Sequence, residues 1–205
     1  MKNNKDIFKD IYENKLWNNG NPNIPLSGPG SSFENTNECS KLIDNFIYSN
    51  NLISILDLGC GDLTWIPKTS FFNDNTKKYL GVDIVENLIN NHKKLYPNQS
   101  FLCSDITEFY NYNKYSLIII RDVIFHLKNN EIIKIFNNIK NKFDFICITS
   151  CNNLNNNDDF NKWRFSEKNI HIEPFNISHN FEFKIYENKF DRFVYIYKHE
   201  NFYNS

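Results

Sequence analysis

The chain has 205 residues, with 23 Lys+Arg against 24 Asp+Glu and a formal net charge of −1. That length fits one ordinary domain with a real core and room for a short arm, but not a second domain. The near-zero charge gives no broad electrostatic footprint for nucleic acid or an anionic membrane, and apolar runs as short as Leu117–Ile120 cannot cross a bilayer.

The N-terminus, Met1-Lys-Asn-Asn-Lys-Asp6, has no apolar stretch behind it that would mark a secretory signal. The expectation is a soluble cytoplasmic protein. The chain holds 37 Asn, 26 Ile and 20 Lys against 3 Arg and no Ala, a bias that AT-rich codons explain without invoking function. Aromatic residues make up 16%, more than a disordered chain carries, so a core can still form. Five scattered cysteines (Cys39, Cys60, Cys103, Cys147, Cys151) without a C-x-x-C pair argue against a disulfide framework and a zinc knuckle.

In chain order, Asp6–Trp17 carries Ile7, Ile11 and Tyr12 at helical spacing and reads as an amphipathic arm. Asn18–Gly30 is a loop rich in Asn, Gly and Pro that runs into Ser27-Gly-Pro-Gly-Ser-Ser32. Ser31-x-x-Glu34 reads as a capping box, opening a helix to about Ser49 with Leu42, Ile43, Phe46 and Ile47 apolar. Ile53–Leu58 is a buried strand, followed by Gly59-Cys60-Gly61 and a short helix near Leu63–Ile66. Tyr79–Val82 is a second strand, Val85–Leu95 a helix, Phe101–Cys103 a third strand and Tyr115–Ile120 a fourth. Glu131–Phe143 sets Ile132, Phe136, Ile139 and Phe143 on one helical stripe, and Phe143–Thr149 is a fifth strand. Beyond the Asn/Asp-rich Asn152–Asn161, Phe181–Tyr186 and Phe193–Tyr197 alternate as a hairpin. This alternation predicts an α/β fold: a Rossmann-like, doubly wound sheet of about seven strands, with helices on both faces and a C-terminal antiparallel hairpin. The expected organisation is an arm and lid over residues 1–32 and one domain over 33–205.

In such a sheet, ligands bind beyond the carboxyl ends of the strands. The first strand is followed by Asp57-Leu-Gly-Cys-Gly-Asp62, the second by Asp83, the third by Asp105, and the fourth by Arg121 and Asp122. Four consecutive strands thus deliver a carboxylate to one edge. Gly59 and Gly61 permit a tight turn and close backbone approach. Asp83 lies 22 residues after Gly61, the interval at which an acid accepts both ribose hydroxyls. Asp105 can accept from an exocyclic amine such as adenine N6. A dinucleotide site wants a third glycine three residues after Gly61, where Thr64 stands, and Asp62 opposes a diphosphate. A carboxylate at that turn suits a cationic amino-acid ligand, which favours S-adenosyl-L-methionine over NAD.

Ile55–Asp62, Leu80-Gly-Val-Asp83 and Ser104-Asp105-Ile106 resemble the first three motifs of class I S-adenosylmethionine-dependent methyltransferases. Trp17 with Ser27-Gly-Pro-Gly-Ser31, then Arg121-Asp-Val-Ile-Phe-His-Leu127, and Trp163-Arg164 before Pro174-Phe-Asn176, resemble a small bacterial and viral branch of that superfamily. The resemblance covers about Ile7 to Asn176. It implies that Asp57, Gly59, Cys60 and Gly61 line the methionine end of the cofactor, Cys60 through its backbone. By the same resemblance Asp83 with Ile84 takes the ribose, and Asp105 with Ile106 the adenine. Ser27, Gly28 and Gly30 belong to a segment that would close over the cofactor as a lid, or else form an ordinary turn capping the next helix. If the gene is viral, the cytoplasm would be the host's.

For catalysis, methyl transfer needs an aligned acceptor and, for a hydroxyl, a proton acceptor. Asp122 and His126 are spaced i, i+4 and share a face if a helix starts there. His126 is the better general base at neutral pH, because its unperturbed pKa is near ~6.5. Arg121 and Arg164 can bind a carboxylate or phosphate on cofactor or acceptor, and Trp163 can floor a sugar or planar acceptor. His171 and Glu173 are reserve candidates for the acceptor site, while His92, His179 and His199 read as structural or exposed. No convincing metal spacing stands out, although Asp122 leaves a bridged Mg²⁺ open.

These residues favour an O-methyltransferase acting on a small-molecule or sugar/glycan hydroxyl. Methylation of nucleic acid or protein is the alternative within enzymes; the absence of Asn/Asp-Pro-Pro-Tyr after the fourth strand and the near-neutral charge count against nucleic acid. A non-catalytic partner module would be expected to have lost the glycines or Asp83. An NAD-dependent dehydrogenase conflicts with Asp62 and Thr64. The acceptor and the oligomeric state are not legible in the sequence.

Overall fold

The computed structural model describes residues 3–110 and 113–203. Residues 1–2 and 204–205, at the outer ends of the expected arm and domain, lie outside the described residues, as do 111–112. The chain divides into two compact units, residues 1–106 and 107–205.

The first unit contains α1 (Asn4–Glu13), α2 (Phe33–Ser49), β1 (Ser54–Leu58), β2 (Lys78–Asp83), α3 (Glu86–Leu95) and β3 (Ser100–Cys103). β1 pairs in parallel with β2, Leu58 opposite Val82, and β2 with β3, Asp83 opposite Cys103. Asn3 caps α1 through its side chain, which accepts from Asp6 N–H, and the helix buries Phe8, Ile11 and Tyr12. It stops at Glu13, short of Trp17, because Lys15 turns left-handed at φ 53°. Trp17 folds back against Phe8 and Tyr12 instead.

Two local expectations are corrected in this unit. The capping box at Ser31 does not form: Pro29–Ser31 make a 3-10 turn, Ser31 Oγ donates to Gly28 O, and the cap of α2 moves to Ser32. Proline pre-sets the backbone for that turn, and the serine hydroxyl closes it. No helix spans Leu63–Ile66 either. Leu63 is left-handed at φ 54°, and a 3-10 turn begins only at Ile66.

The second unit contains β4 (Tyr115–Ile120), α4 (Asn129–Ile139), β5 (Phe143–Cys151), β6 (Phe183–Glu187), β7 (Arg192–Lys198) and α5 (His199–Tyr203). β4 and β5 are parallel, while β7 is antiparallel to both β5 and β6. α4 buries Ile132, Ile135, Phe136 and Ile139. Phe143 is no part of that helix: Asn141, left-handed at φ 62°, breaks the chain and makes Phe143 the first residue of β5. α5, which the sequence pattern did not announce, buries Phe202 against Phe136, Phe143 and Tyr197. The Asn152–Asn161 stretch has no regular structure, but it is fastened by buried Lys168, whose Nζ donates to Asn129 Oδ1, Asn157 O and Asp158 Oδ1.

The seven strands run in the order β3-β2-β1-β4-β5-β7-β6, the mixed sheet with a C-terminal antiparallel hairpin expected from the sequence. Among the described residues, no helix is long and apolar enough to cross a membrane.

Candidate active site

The glycine turn after β1 is held on every side by the first unit. Gly59 and Cys60 N–H both donate to Val82 O, which closes the turn against the end of β2. Gly61 is left-handed at φ 58°, and a Cβ there would stand 2.5 Å from Ser27 Oγ, so only glycine fits. Gly61 N–H donates to Asp83 Oδ2, and its carbonyl accepts from His92 Nε2 at 2.7 Å. The Ser27 segment docks on the far side: Ser27 N–H donates to Asp62 Oδ2, Asp62 N–H donates to Ser27 Oγ, and the Tyr12 hydroxyl meets Ser27 Oγ at 2.7 Å. Ser27 therefore docks its segment on the turn. Gly28, left-handed at φ 89°, lets the chain pass Trp17.

Three carboxylates stand at or just past the carboxyl ends of β1, β2 and β3, each in a different setting. Asp57 is buried and accepts from the Tyr79 hydroxyl at 2.7 Å. Asp83 is buried too, its oxygens accepting from Gly61 and Val85 N–H, each at 2.9 Å. Burial raises the Asp83 carboxyl above its ordinary pKa, and these N–H groups oppose that rise. Asp105 is half-buried and lines a cavity of about 220 Å³ with Ile84, Cys103, Ser104 and Asn3–Lys5 of the arm. Ile106 is buried behind it. An apolar wall at Ile84, an acceptor at Asp105 and a glycine cradle beside Asp83 form a donor and acceptor set that fits a nucleoside carrying an amino-acid tail. Burial pushes the Cys60 thiol well above its ordinary pKa, which leaves it no thiolate chemistry at neutral pH.

In the second unit, Asp122 sits just past β4 with φ 59°, its N–H donating to Thr149 Oγ1. Its carboxylate belongs to a closed ring of four charges. Oδ2 meets Arg121 Nη1 at 2.9 Å and Arg192 Nη2 at 2.7 Å, while Glu187 accepts from Arg121 Nη2 and Arg192 Nε, both at 2.7 Å. The Arg121, Glu187 and Arg192 side chains are at most 7% exposed, so the charges neutralise one another where water cannot. Arg121 thus engages two carboxylates of its own unit, Asp122 and Glu187.

His126 closes a 3-10 turn over Ile124–His126, not an α-helix, so the i, i+4 relation to Asp122 does not arise from helical geometry. Its Nδ1 donates to Arg164 O at 2.8 Å, and Arg164 Nε donates back to His126 O. A carbonyl only accepts, so the proton is on Nδ1 and the lone pair on Nε2. Burial pushes the imidazole down to about 4, outweighing the opposing pull of the Arg164 carbonyl and the Asp122 charge. The expectation of a base titrating near 6.5 is corrected accordingly.

Arg164 also stacks over Phe160 at 4.2 Å, and Trp163 is 40% exposed with Lys162 over its ring. Arg164 is thus joined to His126, while His171 is drawn into a different cluster, stacked on His179 and edge-on to Tyr195. Among the described residues no group of His, Cys, Asp or Glu is placed to hold a metal ion. Sequence reasoning missed His92 at the glycine turn and Glu187 and Arg192 around Asp122. Their partners lie 31 and 66 residues away, and no local spacing announces such bonds.

Comparison with known proteins accords with this arrangement. Residues 33–181 match the family described as a methyltransferase domain. The fold is similar to the N-methyltransferase NodS from Bradyrhizobium japonicum WM9 in complex with S-adenosylhomocysteine, at a TM-score of 0.65 and 11% identity over 92% of this chain and 98% of that one. It is similar to magnesium protoporphyrin IX methyltransferase from Synechocystis PCC 6803 with bound S-adenosylmethionine, at 0.61 and 16% over 96% of each chain. An S-adenosylmethionine-dependent methyltransferase from Clostridium acetobutylicum ATCC 824 gives 0.58 and 17% over 96% and 99%. No curated protein matches the sequence. The chain belongs to the methyltransferase-domain family and is an S-adenosylmethionine-dependent methyltransferase.

Proposed function

We propose that the chain methylates a hydroxyl of a small molecule or glycan, with His126 as the proton acceptor. When bound, the cofactor supplies a methyl group on a sulfonium for in-line displacement. Asp57, Gly59, Cys60 and Gly61 would face its amino-acid end, Asp83 and Ile84 its ribose, and Asp105 and Ile106 its base. Residues 1–32 act as the arm whose Ser27–Gly30 strap covers that end. The observation that carries the choice of acceptor is the His126 tautomer. With Nδ1–H on Arg164 O, the ring's lone pair is on Nε2, and burial favours this neutral form. A hydroxyl needs such an acceptor for its proton, whereas a neutral amine already carries its own lone pair. As the proton reaches Nε2, the Asp122 charge favours the imidazolium. Asp122 is held in place by Arg121 and Arg192, and the Trp163–Arg164 pair would floor and orient the acceptor. The segments at Ser27–Ser31 and Arg121–Leu127 favour the small bacterial and viral branch. Transfer of a labelled methyl group from S-adenosylmethionine to a panel of sugars and phenols, against matched amines, peptides and RNA, tests this. Label confined to hydroxyls, and lost in His126→Asn, is expected. Label entering only amines, peptides or RNA would overturn the hydroxyl assignment.

A further inference from the structure

His92 is a buried side chain of α3, 2% exposed, whose Nε2 lies 2.7 Å from the Gly61 carbonyl. Its Nδ1 is also buried and has no hydrogen-bond partner among the described residues. For packing alone this is a poor choice: a leucine would fill the space beside Phe101 without an unpaired polar atom. The reason for a histidine is therefore at Nε2. A carbonyl only accepts, so Nε2 carries the proton and holds Gly61 O from beneath the turn.

The same peptide unit is held at its other end. Gly61 C=O and Asp62 N–H belong to one planar trans peptide and point in opposite directions. The carbonyl is fixed by His92, and the N–H donates to Ser27 Oγ at 3.0 Å. Orienting one end therefore orients the other. Gly61 offers little resistance to rotation of this plane, because glycine lacks a Cβ and its neighbours constrain it only through hydrogen bonds. Ser27 in turn is the contact through which the strap reaches Asp62 and Tyr12.

We propose that His92 is a positioning residue that docks the N-terminal strap on the cofactor turn by fixing the Gly61–Asp62 peptide plane. The cofactor part rests on the reading of the glycine turn given above; the docking part does not. Without the donor at Nε2 the plane is released, Asp62 N–H leaves Ser27 Oγ, and the strap loses its seat.

The test compares wild type with His92→Leu, His92→Gln and Ser27→Ala, using calorimetric titration with S-adenosylhomocysteine and tryptic cleavage at exposed Lys15. His92→Leu keeps the burial and removes the donor; it is expected to weaken binding by about fivefold to tenfold, one hydrogen bond's worth, and to speed cleavage at Lys15. His92→Gln places an amide N–H2 where Nε2 stood and is expected to recover both. A packing role predicts the reverse order, with leucine tolerated and glutamine not, and that result would overturn the proposal. Ser27→Ala cuts the other end of the same peptide without touching the core, so it decides the matter even if His92→Leu does not fold. Faster cleavage is expected, and wild-type protection with unchanged affinity would refute the coupling. Asp83→Asn separates the two claims. If it and His92→Leu both bind as wild type, the cofactor site is misplaced; if only His92→Leu does, the positioning role alone fails.

Discussion

The depressed pKa of His126 has a measurable consequence for stability. In the unfolded chain this imidazole titrates at its ordinary 6.5, whereas in the folded protein burial holds it down to about 4. As pH falls below 6.5 the unfolded chain takes up a proton that the folded chain refuses, so stability declines through that interval and levels off below about 4. The full difference is worth about 3 kcal/mol, and about 2 kcal/mol is already lost at pH 5. The informative variant is His126→Asn, because the asparagine amide can still donate to Arg164 O from the Nδ1 position but cannot titrate. Urea unfolding of both proteins at pH 7.5 and pH 5 isolates the contribution, since burial also depresses His171 and His199 and their share cancels in the difference. The stability advantage of wild type over His126→Asn should shrink by about 2 kcal/mol between the two pH values. An advantage that stays constant to within about 0.5 kcal/mol would mean that the imidazole titrates normally, and the argument for a permanently neutral base would fail with it.

Other consequences follow from the same contacts. Asp83→Ala removes acceptors for Gly61 and Val85 N–H, and cofactor affinity by calorimetry should fall about tenfold to a hundredfold with the fold retained; unchanged affinity would contradict the assignment. Glu187→Ala strands two buried arginines on one carboxylate, and a loss of about 3–5 kcal/mol in urea unfolding is expected. A loss under about 1 kcal/mol would show that the ring is solvated. Gly61→Ala combines a left-handed backbone with a Cβ at 2.5 Å from Ser27 Oγ. It should cost about 1–2 kcal/mol and speed tryptic cleavage at Lys15, and wild-type behaviour would show that the strap is not seated there.

What the sequence disclosed was local. The first three strands are short apolar runs, with Asp57 and Asp83 at or next to their carboxyl ends and Asp105 just past the third. The cofactor motifs were legible for the same reason, because each is a contiguous segment at a strand end. The errors came where two local signals competed. Pro29 drew Ser31 into a 3-10 turn and displaced the capping box, and Phe143 continued the spacing of α4 across a residue, Asn141, that breaks the helix. The two unforeseen parts of the site rest on contacts distant in sequence. His92 meets Gly61 because α3 packs beneath the turn, and Glu187 and Arg192 join the Arg121–Asp122 pair because they flank the turn of the hairpin. Burial also decided what spacing could not: the sequence suggested that His126 titrates near its ordinary pKa, and its surroundings push it down.

The central claim, that the glycine turn with Asp83 and Asp105 is an S-adenosylmethionine site, is tested most directly by calorimetric titration with S-adenosylmethionine, S-adenosylhomocysteine and NAD, each against wild type and Asp83→Ala. Micromolar binding of both sulfur ligands, none of NAD, and a marked loss in the variant are predicted. Equal binding by wild type and variant, or binding of NAD in place of the sulfur ligands, would contradict it.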